Sequence, residues 1–156
     1  MNPCGCGFGD GNKIGFLDTL CVTEISDSVF AIADHPFRYQ SALIKEVITV
    51  PVGFYTDFAS VPRLGIIYAL LGDRAHEPAV VHDFLYYMGM TTRKMADDIL
   101  LEAMGVEGLP WWQRWPIYAG VRVGGWYAWK QHRDNHDGIP TKYPVPPVIT
   151  PEPPTP

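Results

Sequence analysis

The sequence predicts a single α+β domain, a small antiparallel sheet followed by three or four helices with an antiparallel helix pair at its centre. Three observations predict it. Short β-branched or apolar runs separated by turn residues occupy the stretch from Ile14 to Phe54. After Pro62 the apolar residues recur at helical rather than alternating spacing. Two of those helical stretches are joined by only a few residues around Gly89 to Thr92, and so short a link makes them antiparallel neighbours.

In chain order, residues 1–13 are rich in Gly and Cys and read as a flexible arm. The runs Val29-Phe30-Ala31-Ile32 and Leu43 to Val50 read as strands, set off by the turn signals Ser26-Asp27-Ser28 and His35-Pro36 and closed by Pro51 and Gly53. Three or four such strands, joined by hairpins, form the sheet. Leu64 to Leu71 has the length of one short helix. Glu77-Pro78-Ala79 opens the next, because proline in the first turn lacks only an N–H that would have had no partner. That helix continues through Val81, Phe84, Leu85 and Met88 to Gly89. Thr91 or Thr92 caps its successor, which carries Met95, Ile99, Leu100 and Met104 at helical spacing and ends near Gly105. A further helix begins at Pro110 and reaches about His132, with Pro116 and Gly124-Gly125 as points of bending or close packing. The domain thus spans residues 14–133. Residues 134–156 are a Pro-rich tail, extended and polyproline-like from Pro144.

A chain of 156 residues supports one domain with a sizeable core, and 47% apolar residues with 13% aromatics imply that it folds. The formal charge of −5 argues against a mainly electrostatic grip on nucleic acid, and no nucleic-acid partner is expected. Arg114, Arg122, Lys130 and Arg133 nevertheless gather late in the chain. The N-terminus lacks the basic and apolar pattern of a signal peptide, and no stretch is apolar enough to span a bilayer, so a soluble product is expected. Three cysteines cannot all pair with one another. Cys21 falls on an expected strand, and ordinary free thiols are the plainer expectation for all three. Zinc or an iron–sulfur group at Cys4 and Cys6 would need further ligands.

The residues best suited to chemistry are His82, Asp83 and Tyr86. On a helix His82 and Tyr86 stack on one face, and Asp83 is turned from the histidine by about 100°. Their neighbours are apolar, and a buried His-Asp pair needs partners to offset its desolvation. Asp97, on the antiparallel helix, falls level with His82 and Tyr86 when the turn lies near Gly89 to Thr92. A carboxylate there can accept an imidazole N–H, orienting a histidine general base, and can take the Tyr86 hydroxyl as well. The loop Gly53 to Pro62 brings Thr56, Asp57 and Ser60. Asp57 with Asp83 and backbone carbonyls would make an oxygen-rich site suited to Ca²⁺. The plainer alternatives are that Asp57 or Ser60 caps a helix, that Asp83 pairs with Arg63 or Arg93, and that His82 and Asp97 form a buried structural network. Trp111-Trp112-Gln113-Arg114-Trp115 with Trp126, Tyr127 and Trp129 reads as core at helical spacing, the alternative being a lipid or partner surface.

The run Gly53-Phe54-x-Thr56-Asp57-Phe58-Ala59-Ser60-Val61-Pro62, then Ala79-Val80-Val81-His82-Asp83-Phe84-Leu85-Tyr86, then Arg93-x-x-Ala96-Asp97, then Tyr118 and Val121-Arg122, resembles the phage-associated domain of unknown function 1353 over roughly residues 25–128. That resemblance implies a bacteriophage-encoded protein associated with the tail or virion, with other tail or virion proteins as partners, located in the virion or the host cytoplasm. More loosely, His-Asp-x-x-Tyr facing an aspartate on a second helix is similar to phospholipases A2. By that likeness His82 is the base that activates water, Asp83 binds Ca²⁺, Asp97 orients His82, and Tyr86 supports Asp97. The chain departs from those enzymes in lacking their glycine-rich calcium loop and their cysteine framework.

Two readings of function follow: a metal-assisted hydrolase acting on host envelope lipid, and a non-catalytic structural or assembly component of the phage tail. The first expects His82 within hydrogen-bond reach of Asp97 and open to a cleft. A metal phosphohydrolase would need more histidine and aspartate ligands, of which His76 is the one candidate.

Overall fold

The computed structural model describes residues 14–26, 29–56 and 76–134, without the side chains of 132–134. Its elements are β1 (Gly15–Phe16), β2 (Val22–Ser26), β3 (Val29–Ile32), β4 (Phe37–Gln40), β5 (Val47–Val50), β6 (Tyr55–Thr56), α1 (His76–Met88), α2 (Arg93–Val106) and α3 (Trp111–Asp134). The α+β class holds. The expected helix over Leu64 to Leu71, the N-terminal arm and the Pro-rich tail lie outside the described residues.

The expected single sheet is two antiparallel three-stranded sheets, ordered β1-β4-β5 and β2-β3-β6. The division falls at Ala33 to Pro36, where Asp34 takes a left-handed conformation (φ 61°) and the chain leaves one sheet for the other. Because β3 and β4 do not pair, a hairpin reading of sequential strands fails there. Strand β4 alternates cleanly, with Phe37 and Tyr39 buried and Arg38 and Gln40 turned outward. It pairs with β5 in the register Phe37↔Val50 and Tyr39↔Ile48, so the four apolar side chains share one face.

The expected strand from Leu43 to Val50 is shortened to Val47–Val50 for an identifiable reason. The backbone N–H groups of Ala42 and Leu43 donate to the Glu102 carboxylate of α2, at 3.3 and 3.1 Å, instead of joining a ladder. Tyr39 donates its hydroxyl to the same carboxylate at 2.7 Å. One acidic side chain thereby fixes the turn and anchors α2 to this sheet.

The helices follow their local signals closely. In α1 Pro78 occupies the first turn, and Gly89 ends it at φ 58°, a left-handed position that glycine adopts without a Cβ penalty. Thr92 is the N-cap of α2, its hydroxyl accepting from the Met95 N–H at 3.2 Å. The main core joins Phe37, Tyr39, Ile48 and Val50 of one sheet with Ile32 of the other, Val80, Val81, Phe84 and Leu85 of α1, and Ala96, Ile99 and Ala103 of α2. A second cluster, Leu100, Met104, Leu109, Ile117 and Val121, seals α2 against α3.

Two expectations are overturned. Helix α3 packs inward through Ile117, Val121 and Gly125, spaced by four, so Trp111, Trp112, Trp115 and Trp126 point outward and are not core. Of the expected aromatic group, Trp129 is the one that packs on the core. Cys21 is not a free thiol: it is buried, disulfide-bonded, and sits just before β2 rather than within it. Cys4 and Cys6, with any metal role, lie outside the described residues.

The Thr92 cap can be tested by urea denaturation. Thr92→Ala should lower stability by about 1 kcal/mol with an unchanged slope, whereas Thr92→Asp should retain most of it. Equal midpoints for wild type and Thr92→Ala would refute the assignment.

Candidate functional site

Three helices converge on the Asp97 carboxylate. Helix α1 is wound so that His82 and Tyr86, one turn apart, present their rings together with centroids 4.2 Å apart. The short turn after Gly89 brings α2 back beside them. His82 Nε2 lies 3.0 Å from Asp97 Oδ1, and the Tyr86 hydroxyl donates to the same oxygen at 2.5 Å. The second carboxylate oxygen, Oδ2, accepts from Arg122 Nη1 of α3 at 2.7 Å. Arg93, four residues before Asp97 on α2, places its Nη1 3.6 Å from Oδ2 and donates to the Arg122 carbonyl oxygen at 3.0 Å.

Asp97 is 0% exposed and His82 is 3% exposed. Burial by itself would push the Asp97 carboxyl up, because it disfavours the charged form. Hydrogen bonds from His82, Tyr86 and Arg122 outweigh it and hold the group below the ordinary carboxylate range. Burial, and then the bond to Asp97, raise the Tyr86 phenol far above its usual value, so it remains a protonated donor. An ionised carboxylate only accepts hydrogen bonds, so Nε2 of His82 carries a proton, which in a neutral imidazole leaves the lone pair on Nδ1. The charge on Asp97 is shared among an imidazole and two guanidinium groups, which weakens its pull on any one of them.

A glycine makes the convergence possible. A Cβ at Gly125 would sit 2.5 Å from the Tyr86 hydroxyl oxygen. Only a bare backbone at that point lets α3 lie close enough for Arg122 to reach Asp97 while Tyr86 reaches it from the other side. The expected close packing at Gly124-Gly125 therefore falls on Gly125. Trp129, one turn on, packs edge-on against the Tyr86 ring with centroids 5.1 Å apart.

Asp83 points away from this cluster, and its Oδ2 accepts the Thr56 hydroxyl of β6 at 2.8 Å. The helix is thus tied to the start of the loop that the sequence placed opposite it. Asp57, the other expected ligand, lies outside the described residues, as does Arg63. Arg93, the alternative partner for Asp83, turns to Asp97 instead. Among the described residues, no three His, Cys, Asp or Glu side chains gather as a metal cluster. Asp98 forms a second polar node on α2, accepting from Lys94 at 2.6 Å and from the Tyr118 hydroxyl of α3 at 2.7 Å.

The expected approach of His82, Tyr86 and Asp97 is present, and His82, expected to open to a cleft, is 3% exposed. Sequence reasoning missed that Arg93 and Arg122 serve Asp97. Arg93 could have been found from its i, i+4 spacing to Asp97. For Arg122 the signal was weaker: Tyr118 and Arg122, also four apart, follow two adjacent aspartates on the neighbouring helix.

A family model described as "Protein of unknown function (DUF1353)" matches residues 32–121, more than half of the 156-residue chain. No curated protein and no solved structure matches it. No helix among the described residues is long and apolar enough to cross a membrane.

Two stability measurements test this geometry. Because the Asp97 pKa is lower folded than unfolded, its contribution is complete above the unfolded value of about 3.9 and is lost as pH falls through the folded value. Asp97→Asn removes the charge that Arg93 and Arg122 compensate and sets an amide N–H against one of the former donors, and should cost about 3–5 kcal/mol at pH 7. It should also flatten the acid limb of stability against pH below about 4; an unchanged limb would contradict the assignment. In the second measurement, Gly125→Ala should destabilise by about 1–3 kcal/mol, and Tyr86→Phe, which removes the opposing oxygen, should recover part of that loss in the double variant. Strict additivity would mean that the two positions do not touch.

Proposed function

The chain belongs to the DUF1353 family of proteins of unknown function, and for it we propose a bacteriophage-encoded, tail- or virion-associated protein whose His82–Asp97 pair is the general base of a metal-assisted ester hydrolase acting on host envelope lipid. The observation that carries this reading is the 3.0 Å contact between His82 Nε2 and Asp97 Oδ1. It favours, for a neutral imidazole, the tautomer with the lone pair on Nδ1 that a general base requires. Tyr86 and the arginines keep the carboxylate ionised and fixed in position.

In the proposed reaction Nδ1 takes a proton from water as the water oxygen bonds to the ester carbonyl carbon. The tetrahedral intermediate then expels the alkoxide of the lysolipid, which recovers the proton from Nδ1. Asp97 stays ionised throughout and steadies the imidazolium through Nε2. Asp83, beside the histidine and braced by Thr56, is together with Asp57 the proposed holder of Ca²⁺. That ion would polarise the ester carbonyl. The pattern His82-Asp83-x-x-Tyr86 with Asp97 on the antiparallel helix is the point of likeness to phospholipases A2.

A second reading, a non-catalytic brace in a tail or assembly component, is favoured by a specific observation. His82 is 3% exposed, and Asp97 is compensated by two arginines whether or not the imidazole is charged. Under it the constellation locks α1, α2 and α3 together and turns over nothing.

His82→Gln separates the two, because the glutamine amide can still donate to Asp97. Fatty-acid release from phospholipid vesicles, with Ca²⁺ or with chelator, is the readout. On the hydrolase reading the wild type releases fatty acid, chelator abolishes release, and His82→Gln lowers kcat/KM by about 100-fold or more with its melting temperature little changed. Absence of lipolysis by the wild type with Ca²⁺, or equal rates in the variant, would sink the hydrolase and leave the brace.

A further inference from the structure

We propose that the outward side of α3 is a docking face for an anionic phospholipid surface. Trp111, Trp112, Trp115 and Trp126 are each between 51% and 68% exposed, and Tyr127 is 54% exposed. At about 100° per residue the four tryptophans fall within roughly 100° of the helix circumference. They form one stripe along a helix of 24 residues, about 36 Å at 1.5 Å per residue. A surface helix ordinarily turns such a stripe to the core. Here the core side is already taken by Ile117, Val121 and Gly125, so the aromatic stripe is surplus to folding.

The side-chain type selects the occupant. Apart from Val123, 77% exposed on the same side, these are indoles and a phenol, each pairing an apolar ring with one polar N–H or O–H. In a dry protein–protein seam every one of those donors would need its own acceptor. A headgroup layer supplies phosphate oxygens and water at the depth where the ring meets hydrocarbon. Charge points the same way. The helix carries Arg114, Arg122, Lys130 and Arg133 against one acidic residue, its last, Asp134, in a chain of formal charge −5. The carboxylates that α2 turns toward α3 are already covered, Asp97 by Arg93 and Arg122, Asp98 by Lys94. The face presented to the membrane is therefore aromatic with the exposed Lys130 beside it, on a helix of net positive charge, a composition suited to acidic bilayers at the interface without crossing them.

The inference extends the lipid reading given above but does not need His82 to turn anything over. The full chain is sedimented with vesicles of phosphatidylcholine alone and of phosphatidylcholine mixed with phosphatidylglycerol, and its tryptophan emission is followed. Expected are binding that is stronger on the mixed vesicles, a blue shift on binding, and a fall of at least about tenfold in partitioning for Trp112→Ala/Trp115→Ala/Trp126→Ala. The triple variant should keep its melting temperature, since these side chains are exposed. His82→Gln should bind like the wild type, so binding without lipolysis would overturn the hydrolase and leave the docking face standing. No binding to either vesicle, or equal binding by the triple variant, would overturn the proposal. So would a self-association, measured by ultracentrifugation, that disappears in the triple variant while vesicle binding is absent, which would assign the face to a second copy.

Discussion

The helical half of this protein is organised around one charge that has no access to water. A carboxylate as enclosed as Asp97 carries a desolvation penalty of several kcal/mol, and it persists in the ionised state only when strong donors surround it. Three hydrogen-bonding groups supply that need, His82 and Tyr86 from α1 and Arg122 from α3, and the Arg93 guanidinium of α2 adds its charge from 3.6 Å. Apolar contacts tolerate small slides between helices, but short polar contacts from three directions do not. The register of α1 on α2 and of α3 on both is therefore specified by a polar requirement inside an otherwise apolar seam. Gly125 belongs to the same requirement, since the donors can meet only where the backbone of α3 carries no side chain.

The other seams repeat this device with different acids. Asp83 joins α1 to β6 through Thr56. Glu102 joins α2 to β4 and the turn after it through Tyr39 and two backbone N–H groups. Asp98 joins α2 to α3 through Tyr118. Asp18 takes both the backbone N–H and the guanidinium of Arg38 at the edge of the first sheet, and those bonds hold its carboxyl below the ordinary range. Acidic side chains act as multi-acceptors wherever two elements meet, each gathering donors that would otherwise lack partners. Much of the chain's acidity is thus architectural, and the functional proposals draw on two of these acids, Asp97 and Asp83, because they flank the one histidine in the centre.

The helices were legible in the sequence because their punctuation is local. Pro78, Gly89 and Thr92 each act within one turn of the chain, and the structure uses them as expected. The meeting of His82, Tyr86 and Asp97 was legible for the same reason, as it follows from helical spacing and a short connection. The sheets were less legible, since strand pairing depends on partners distant in the chain. Phe37–Gln40 is too short to announce itself, and Ala42 and Leu43 are diverted by an acceptor on α2 that no local pattern reveals. Periodicity showed that the aromatic residues of α3 share faces but not which face turns inward. That was decided by the small residues Val121 and Gly125, which permit close approach where tryptophan would not.

The connection between α1 and α2 bears on the order in which the protein folds. His82 and Asp97 are 15 residues apart in sequence, whereas β3 must find β6 across the 26 positions from Phe30 to Thr56. Closing a loop of about ten residues takes on the order of 10–100 ns, and short closures lose less chain entropy than long ones. The helical hairpin, like the β2-β3 and β4-β5 pairs, therefore closes locally, and it contains the group least tolerant of burial without partners. A folding chain can bring His82, Tyr86 and Arg93 to Asp97 within this hairpin alone, before the longer-range pairings of the sheets are made. Arg122 arrives only when α3 docks, so the last guanidinium acts as a latch on a nucleus already formed.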